Sequence, residues 1–199
     1  MRLGQVQVVS IVIIILIALA ALALVLPWTY GMIQKKKDMK SLDDVYNFFQ
    51  TLDETIRNIA KSGGEQYLSL KVPGKLTVYP GSFTSPFNNS IVFTFSAKVS
   101  NIAPGGWIPL NTPNMNETAT LGIDTPSVIF GNSIQSDDQI DIQYKLWYRT
   151  LIDTTGRGYK IVLNTSDNNE KSTTTGYLRI QRLGSGGTPL TITQINIII

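Results

Sequence analysis

The side chains able to do chemistry in this sequence are carboxylates, lysines, tyrosines and hydroxyls, because its 199 residues include neither Cys nor His. A disulfide framework, a Cys/His zinc site, a Ser-His-Asp or Cys-His nucleophile and any imidazole acid or base are therefore excluded. Asp137, Asp138 and Asp141 precede a strand-like run and offer the hard oxygen donors that Ca²⁺ takes. Their spacing matches no EF-hand loop, so a solvated acidic turn is the simpler reading and no metal is expected. Asn88, Asn116 and Asn164 each open an N-x-S/T triplet in loop or strand-end surroundings suited to glycosylation. Composition alone accounts for about two such triplets. The Gly-rich run 183–188 lacks the lysine and following helix of a phosphate loop and reads as a hairpin turn. Nothing pairs two carboxylates for glycoside hydrolysis. Trp107, Trp147 and the tyrosines fit packing better than a sugar platform. Neither catalysis nor a cofactor is expected.

The elements that carry these residues are of two kinds. The chain has 17 basic and 14 acidic residues, yet the first 34 positions hold a single charged side chain, Arg2. The rest has the composition of an ordinary soluble domain. Basic residues nowhere cluster with interleaved aromatics, so no nucleic-acid partner is expected.

From Val8 to Leu26 the only polar residue is Ser10, and as a helix this stretch would span roughly 28 Å, close to the hydrocarbon thickness of a bilayer. It is longer than the apolar region of a secretory signal peptide. Trp28 and Tyr30, then Lys35, Lys36 and Lys37, follow as an aromatic belt and a charged collar at one membrane face. Those lysines, with Lys40, outnumber Arg2 and the amino terminus, which by the positive-inside rule favours a cytoplasmic C-terminal module. The Ser-, Thr- and Asn-rich, Cys-free character of that module favours the exterior.

Beyond Gly31, Met32, Ile33, Met39, Leu42, Val45, Tyr46, Phe49, Leu52, Ile56 and Ile59 recur at spacings of three and four. Asp43, Asp44, Asp53, Glu54 and Arg57 fall on the opposite face, which predicts an amphipathic helix continuous with the apolar one. Gly63-Gly64 should end it at Ser62. Pro27 lies inside and should kink or locally unwind it. The stripe keeps no heptad seam, so it should pack on the following domain.

After Gly64 the period changes to two. Leu68, Leu70 and Val72, then Leu76 and Val78 across Pro73-Gly74, predict a hairpin. Further strands are expected at 91–99, 127–130, 140–152, 159–163, 177–182 and 190–199, with 101–122 as loop. A bulge near Gln194 would reconcile Leu190 and Ile192 with Ile195, Ile197 and Ile199. Seven or eight such strands suggest an antiparallel β-sandwich with one face covered by the striped helix. The fold class is thus α+β: a long N-terminal helix followed by a β-sandwich head. The expected organisation is a leader at 1–4, a helix at 5–62 (apolar over 5–30, amphipathic over 31–62) and a head at 65–199.

A short leader ending in Gly4, an apolar helix interrupted by proline, its amphipathic continuation and an all-β head resemble the type IV pilin superfamily, specifically archaeal pilins and archaellum subunits. In sequence the resemblance lies in MRLG before QVQVVSIVIIILIALAALALVLPW; in architecture it spans the chain. It implies cleavage by a prepilin peptidase between Gly4 and Gln5, and assembly by an ATPase and platform machinery. The subunit's main partner would be further copies of itself, packed through a helix core that includes Ile13, Leu16, Ala20 and Leu24. Small residues such as Ala18 and Ala21 would permit close helix approach. Before assembly the partner would be the membrane; afterwards the protein would belong to a cell-surface filament. The alternative is a permanently anchored β-sandwich binding protein, of the kind that accessory archaellum proteins represent.

Overall fold

The structure is a computed structural model that describes residues 3–84, 86–136, 139–174 and 176–199, with side chains from Ser10 onward in the helix. One helix, α1 (Leu3–Ser62), runs for 60 residues, roughly 90 Å at 1.5 Å per residue. Its end follows from glycine's freedom at positive φ: Gly63 adopts φ +79° and donates its N–H to the Ile59 carbonyl at 2.8 Å, closing an αL cap. The helix is continuous through Pro27, so of the kink or local unwinding expected there the unwinding is absent. A proline removes only one of the helix's hydrogen bonds, and the flanking turns continue without it.

Among the described residues twelve strands, numbered in chain order, form two six-stranded sheets. The first sheet runs β1 (Glu65–Leu70), β11 (Gly176–Gly186), β12 (Leu190–Ile198), β9 (Gly158–Asn164), β8 (Thr150–Ile152) and β5 (Thr118–Thr120). The second runs β10 (Lys171–Thr173), β2 (Lys75–Tyr79), β3 (Ser90–Ala97), β7 (Gln139–Tyr148), β6 (Ser127–Ser136) and β4 (Ile108–Pro109). The α+β class with a sandwich-like head is therefore observed. The sandwich is mixed rather than wholly antiparallel, since β12 pairs with β9 and β5 with β8 in parallel.

Three local expectations are corrected. The 68–78 hairpin does not form: β1 pairs with β11 and β2 with β3, and Pro73-Gly74 carries the chain from one sheet to the other. Alternation tells which side chains point inward, not which strand lies alongside. A Cβ at Gly74 would come within 2.3 Å of the Phe93 ring, so that crossover needs its glycine. The single strand expected at 140–152 is split, because after Tyr148 in β7 the chain leaves for β8 in the other sheet. The bulge lies not on β12 but on its partner: Arg182 faces Ile195 and Gly184 faces Gln194, so Leu183 of β11 is the extra residue. Pairing of β12 with β9 is continuous from Leu190 to Asn196, and Leu190 and Ile192 simply occupy the face opposite Ile195 and Ile197.

The striped half of α1 does not cover an outer face. It touches β1, β11 and β12 of one sheet and β7 of the other. Leu42, Phe49, Leu52 and Ile56 join Leu178, Ile180 and Ile195 from the first sheet, and Ile91, Phe93, Ile142 and Leu146 from the second, in one buried core. Each fully buried aliphatic or aromatic side chain of this kind contributes about 1.5–3 kcal/mol. The lower half of α1 is thus part of the head.

Candidate assembly segment and its joint to the head

The functional candidate is the other half of α1. Among the described residues none of its apolar stretch is buried, and α1 is long and apolar enough there to cross a membrane. Ile13, Leu16, Ala20 and Leu24, the residues expected in a helix core, are all exposed, Leu24 at 80%. Contiguous apolar surface on this scale is not left to water in a soluble monomer. Trp28 and Tyr30 are exposed, and so are Lys35, Lys36 and Lys37 one to two turns further on. Gly4 and Gln5 lie in the first turn of α1, and the side chain of Gln5 falls outside the described part.

The helix passes from bare to buried between Gln34 and Leu42, and the joint is polar. Asp38 accepts a hydrogen bond from Gln34 Nε2 at 2.7 Å and another from the Lys98 backbone N–H at 2.8 Å. Its carboxylate therefore ties α1 to the end of β3, while Met32, Ile33 and Met39, expected in the buried stripe, stay exposed. The stripe begins later than its sequence pattern suggests because the sandwich reaches only as far as Asp38.

Asp53, expected on the solvent face, is buried. Tyr148 Oη donates to its Oδ1 at 2.9 Å and Arg57 Nε to its Oδ2 at 3.0 Å. Burial pushes the carboxyl up from the usual range, with the Arg57 charge and the hydrogen bonds opposing. Since Asp53 ionises at higher pH in the fold than in the unfolded chain, stability falls as pH rises from about 3.9 towards the folded midpoint, then levels. Tyr148→Phe should cost about 1–2 kcal/mol and extend that decline to higher pH. Denaturant unfolding between pH 4 and 8 reads both, and an unchanged pH profile would show that the hydroxyl does not support the carboxylate. Higher along the helix, Tyr144 Oη donates to the Leu42 carbonyl at 3.4 Å, and burial pushes its own ionisation up to about 12.

The three sequons separate. Asn88 and Asn116 are exposed in loops, whereas Asn164 is half-buried at the end of β9. Asp137 and Asp138 lie outside the described residues. Asp141 accepts a hydrogen bond from Ser96 Oγ at 2.7 Å, and among the described residues no three metal-ligating side chains converge. Trp107 and Trp147 join Phe87 and Phe130 on the outer face of the second sheet, with Lys145 Nζ 4.5 Å from the Trp107 ring centroid and 4.7 Å from that of Phe130. The rings enclose a lysine whose ionisation is pushed down by burial, a packed cation–π cluster.

Two organising residues carry no sequence signal. Arg149, fully buried where the chain changes sheets, donates from Nε to the Thr125 carbonyl at 3.1 Å and from Nη1 to that of Asn114 at 2.8 Å. Asp124 stands 3.8 Å from Nη2. This holds the segment 110–126 on the sandwich; the stretch 101–122 expected as loop in fact contributes the short strands β4 and β5. Asn89, the residue after the sequon-opening Asn88, spans the two sheets. Its Nδ2 donates to the carbonyls of Tyr148 and Ile161, and its Oδ1 accepts from the Leu163 N–H, each at 2.8 Å.

Against this geometry the comparisons are empty: no protein-family model matches the chain, and neither a curated protein nor a solved structure matches it significantly.

Proposed function

We propose that this chain is a structural, non-enzymatic subunit of an archaeal type IV pilus-like surface filament. The apolar halves of many copies of α1 pack together, and the β-heads face outward for adhesion or motility. The observation that carries this reading is the division of one continuous helix: Leu42 to Ala60 are built into the head's core, whereas the stretch from Ser10 to Ile33 is left bare. A rod fixed rigidly to its head exchanges lipid contacts for contacts with its own kind without refolding the head. Processing between Gly4 and Gln5 by a prepilin peptidase, and assembly by an ATPase and platform, belong to the same proposal. Its exposed sequons, Asn88 and Asn116, suit a surface location.

A second reading is a permanently anchored extracytoplasmic binding protein. The exposed Trp28, Tyr30 and lysine collar favour it, since they would mark a lasting membrane boundary. One experiment separates the two: native cells are sheared, the released material is imaged by electron microscopy and its N-terminus sequenced. Filaments that begin at Gln5 support the pilin reading. A protein that stays with the membranes and retains Met1 or Arg2 overturns it.

A further inference from the structure

A cavity of about 410 Å³ opens beside the last turns of α1, bordered by Arg57 and Lys61 of the helix, Arg182 and Ser185 of β11, Thr193 of β12 and Tyr159 of β9. Its lining includes three cations and no carboxylate. Asp53, which is not part of the lining, engages Arg57 through Nε; among the described residues neither Lys61 nor Arg182 has a carboxylate oxygen within 4.0 Å. Three like charges on one concavity, with a single carboxylate to offset them, favour an anion in the space between.

The backbone arranges this deliberately. In a regular strand Arg182 and Ser185, three residues apart, would point to opposite faces. The extra residue Leu183 resets the alternation, so Arg182 opposes Ile195 and Ser185 opposes Thr193, both of which are buried on the inner face. A bulge that re-aims a side chain in this way is a known device beside binding sites. The hydroxyls of Ser185 and Thr193 stand 3.1 Å apart. Only one of their two protons is used between them, which leaves a donor for a ligand.

We infer that this cavity is a binding site for a phosphate group, built from the guanidinium of Arg182, the ammonium of Lys61, the outer edge of Arg57 and the Ser185–Thr193 hydroxyl pair. Guanidinium and hydroxyl donors arranged round one point match the several oxygens of a phosphate. The volume also admits a phosphorylated monosaccharide. The site is separate from the apolar half of α1 and stands whether or not the chain forms filaments.

The test is calorimetric titration of the full-length chain in detergent micelles with inorganic phosphate, glucose 6-phosphate and glucose, at ionic strength held constant with chloride. One site per chain is expected for both phosphates and none for glucose. Equal affinities identify the free ion as sufficient, and tighter glucose 6-phosphate binding identifies a sugar-borne group. Arg182→Gln and Lys61→Gln should each weaken phosphate binding about tenfold with the thermal midpoint of the unliganded protein unchanged. If Arg182→Gln fails to fold, the Lys61 variant, at the exposed end of α1, carries the reading alone. No saturable binding of either phosphate, or affinities equal to the parent in every folded variant, overturns the site.

Discussion

Leu19→Lys is expected to remove filaments from the sheared fraction entirely while leaving the head's unfolding unchanged. Leu19 lies in the middle of the bare half of α1 and is 57% exposed in the isolated chain, so the proposed assembly would surround it with lipid or with other copies of this helix. A lysine at the centre of a bilayer costs about 2.5–3.5 kcal/mol on insertion scales. In a bundle of apolar helices the charge recurs in every subunit with no carboxylate from this half of the chain to meet it, because the first 34 residues contain no acid. Position 19 is roughly 35 Å along the helix from Leu42, where burial begins, so near-ultraviolet circular dichroism of the head should not change. Leu19→Ile, which keeps the apolar surface, should assemble normally. Filament yield unaffected by the lysine would mean that α1 does not lie in a dry core and would remove the basis of the proposed assembly.

The largest loss of stability in the head is expected from Asn89→Ala, about 3–5 kcal/mol in urea unfolding of the full chain in micelles. The substitution strands the carbonyls of Tyr148 and Ile161 and the N–H of Leu163, all within 2.8 Å of the amide. A buried group left without its partner costs about 1–3 kcal/mol. Asn89 also adopts φ +55°, which Asn tolerates better than Ala. Asn89→Gly separates the two causes: it relieves the backbone and should remain almost as unstable as the alanine variant. Asn89→Asp should also fail, since it turns a donor to two carbonyls into a charged acceptor. A loss below about 1 kcal/mol for the alanine variant would show that water replaces the amide and that the sheets do not depend on this clamp.

The two predictions divide along the line between what sequence and structure each reveal. Leu19 is legible without coordinates: an uninterrupted apolar run longer than a signal peptide's, followed by aromatics and lysines, defines its environment by composition alone. The Gly63 cap, the change from period 3.6 to period 2 and the alternation of β3 and β7 are legible for the same reason, since each depends on neighbours along the chain. Asn89 is not legible, because its partners lie 59 to 74 residues away. Asp53 and Arg149 mislead in sequence: a charged residue is expected in water, and only a distant tyrosine or a set of loop carbonyls makes its burial tolerable.

The sheet partners follow the same rule. Alternating residues declare an inward face, yet β1 and β2, separated by one turn, enter different sheets, and the final strand pairs in parallel with β9. The break in phase along the last strand pointed to a bulge that β12 does not have, because Leu190 and Ile192 lie on its other face; the extra residue sits on β11, where only the pairing of distant strands reveals it. By itself the sequence determined a membrane-length apolar helix, its amphipathic continuation and a β-rich head free of Cys and His chemistry, because hydrophobic periodicity and composition are local quantities. Only the tertiary structure decided where the helix becomes part of the head, which polar groups are buried and how cations from α1 and β11 meet round one cavity. Those outcomes depend on the packing of residues far apart in the chain.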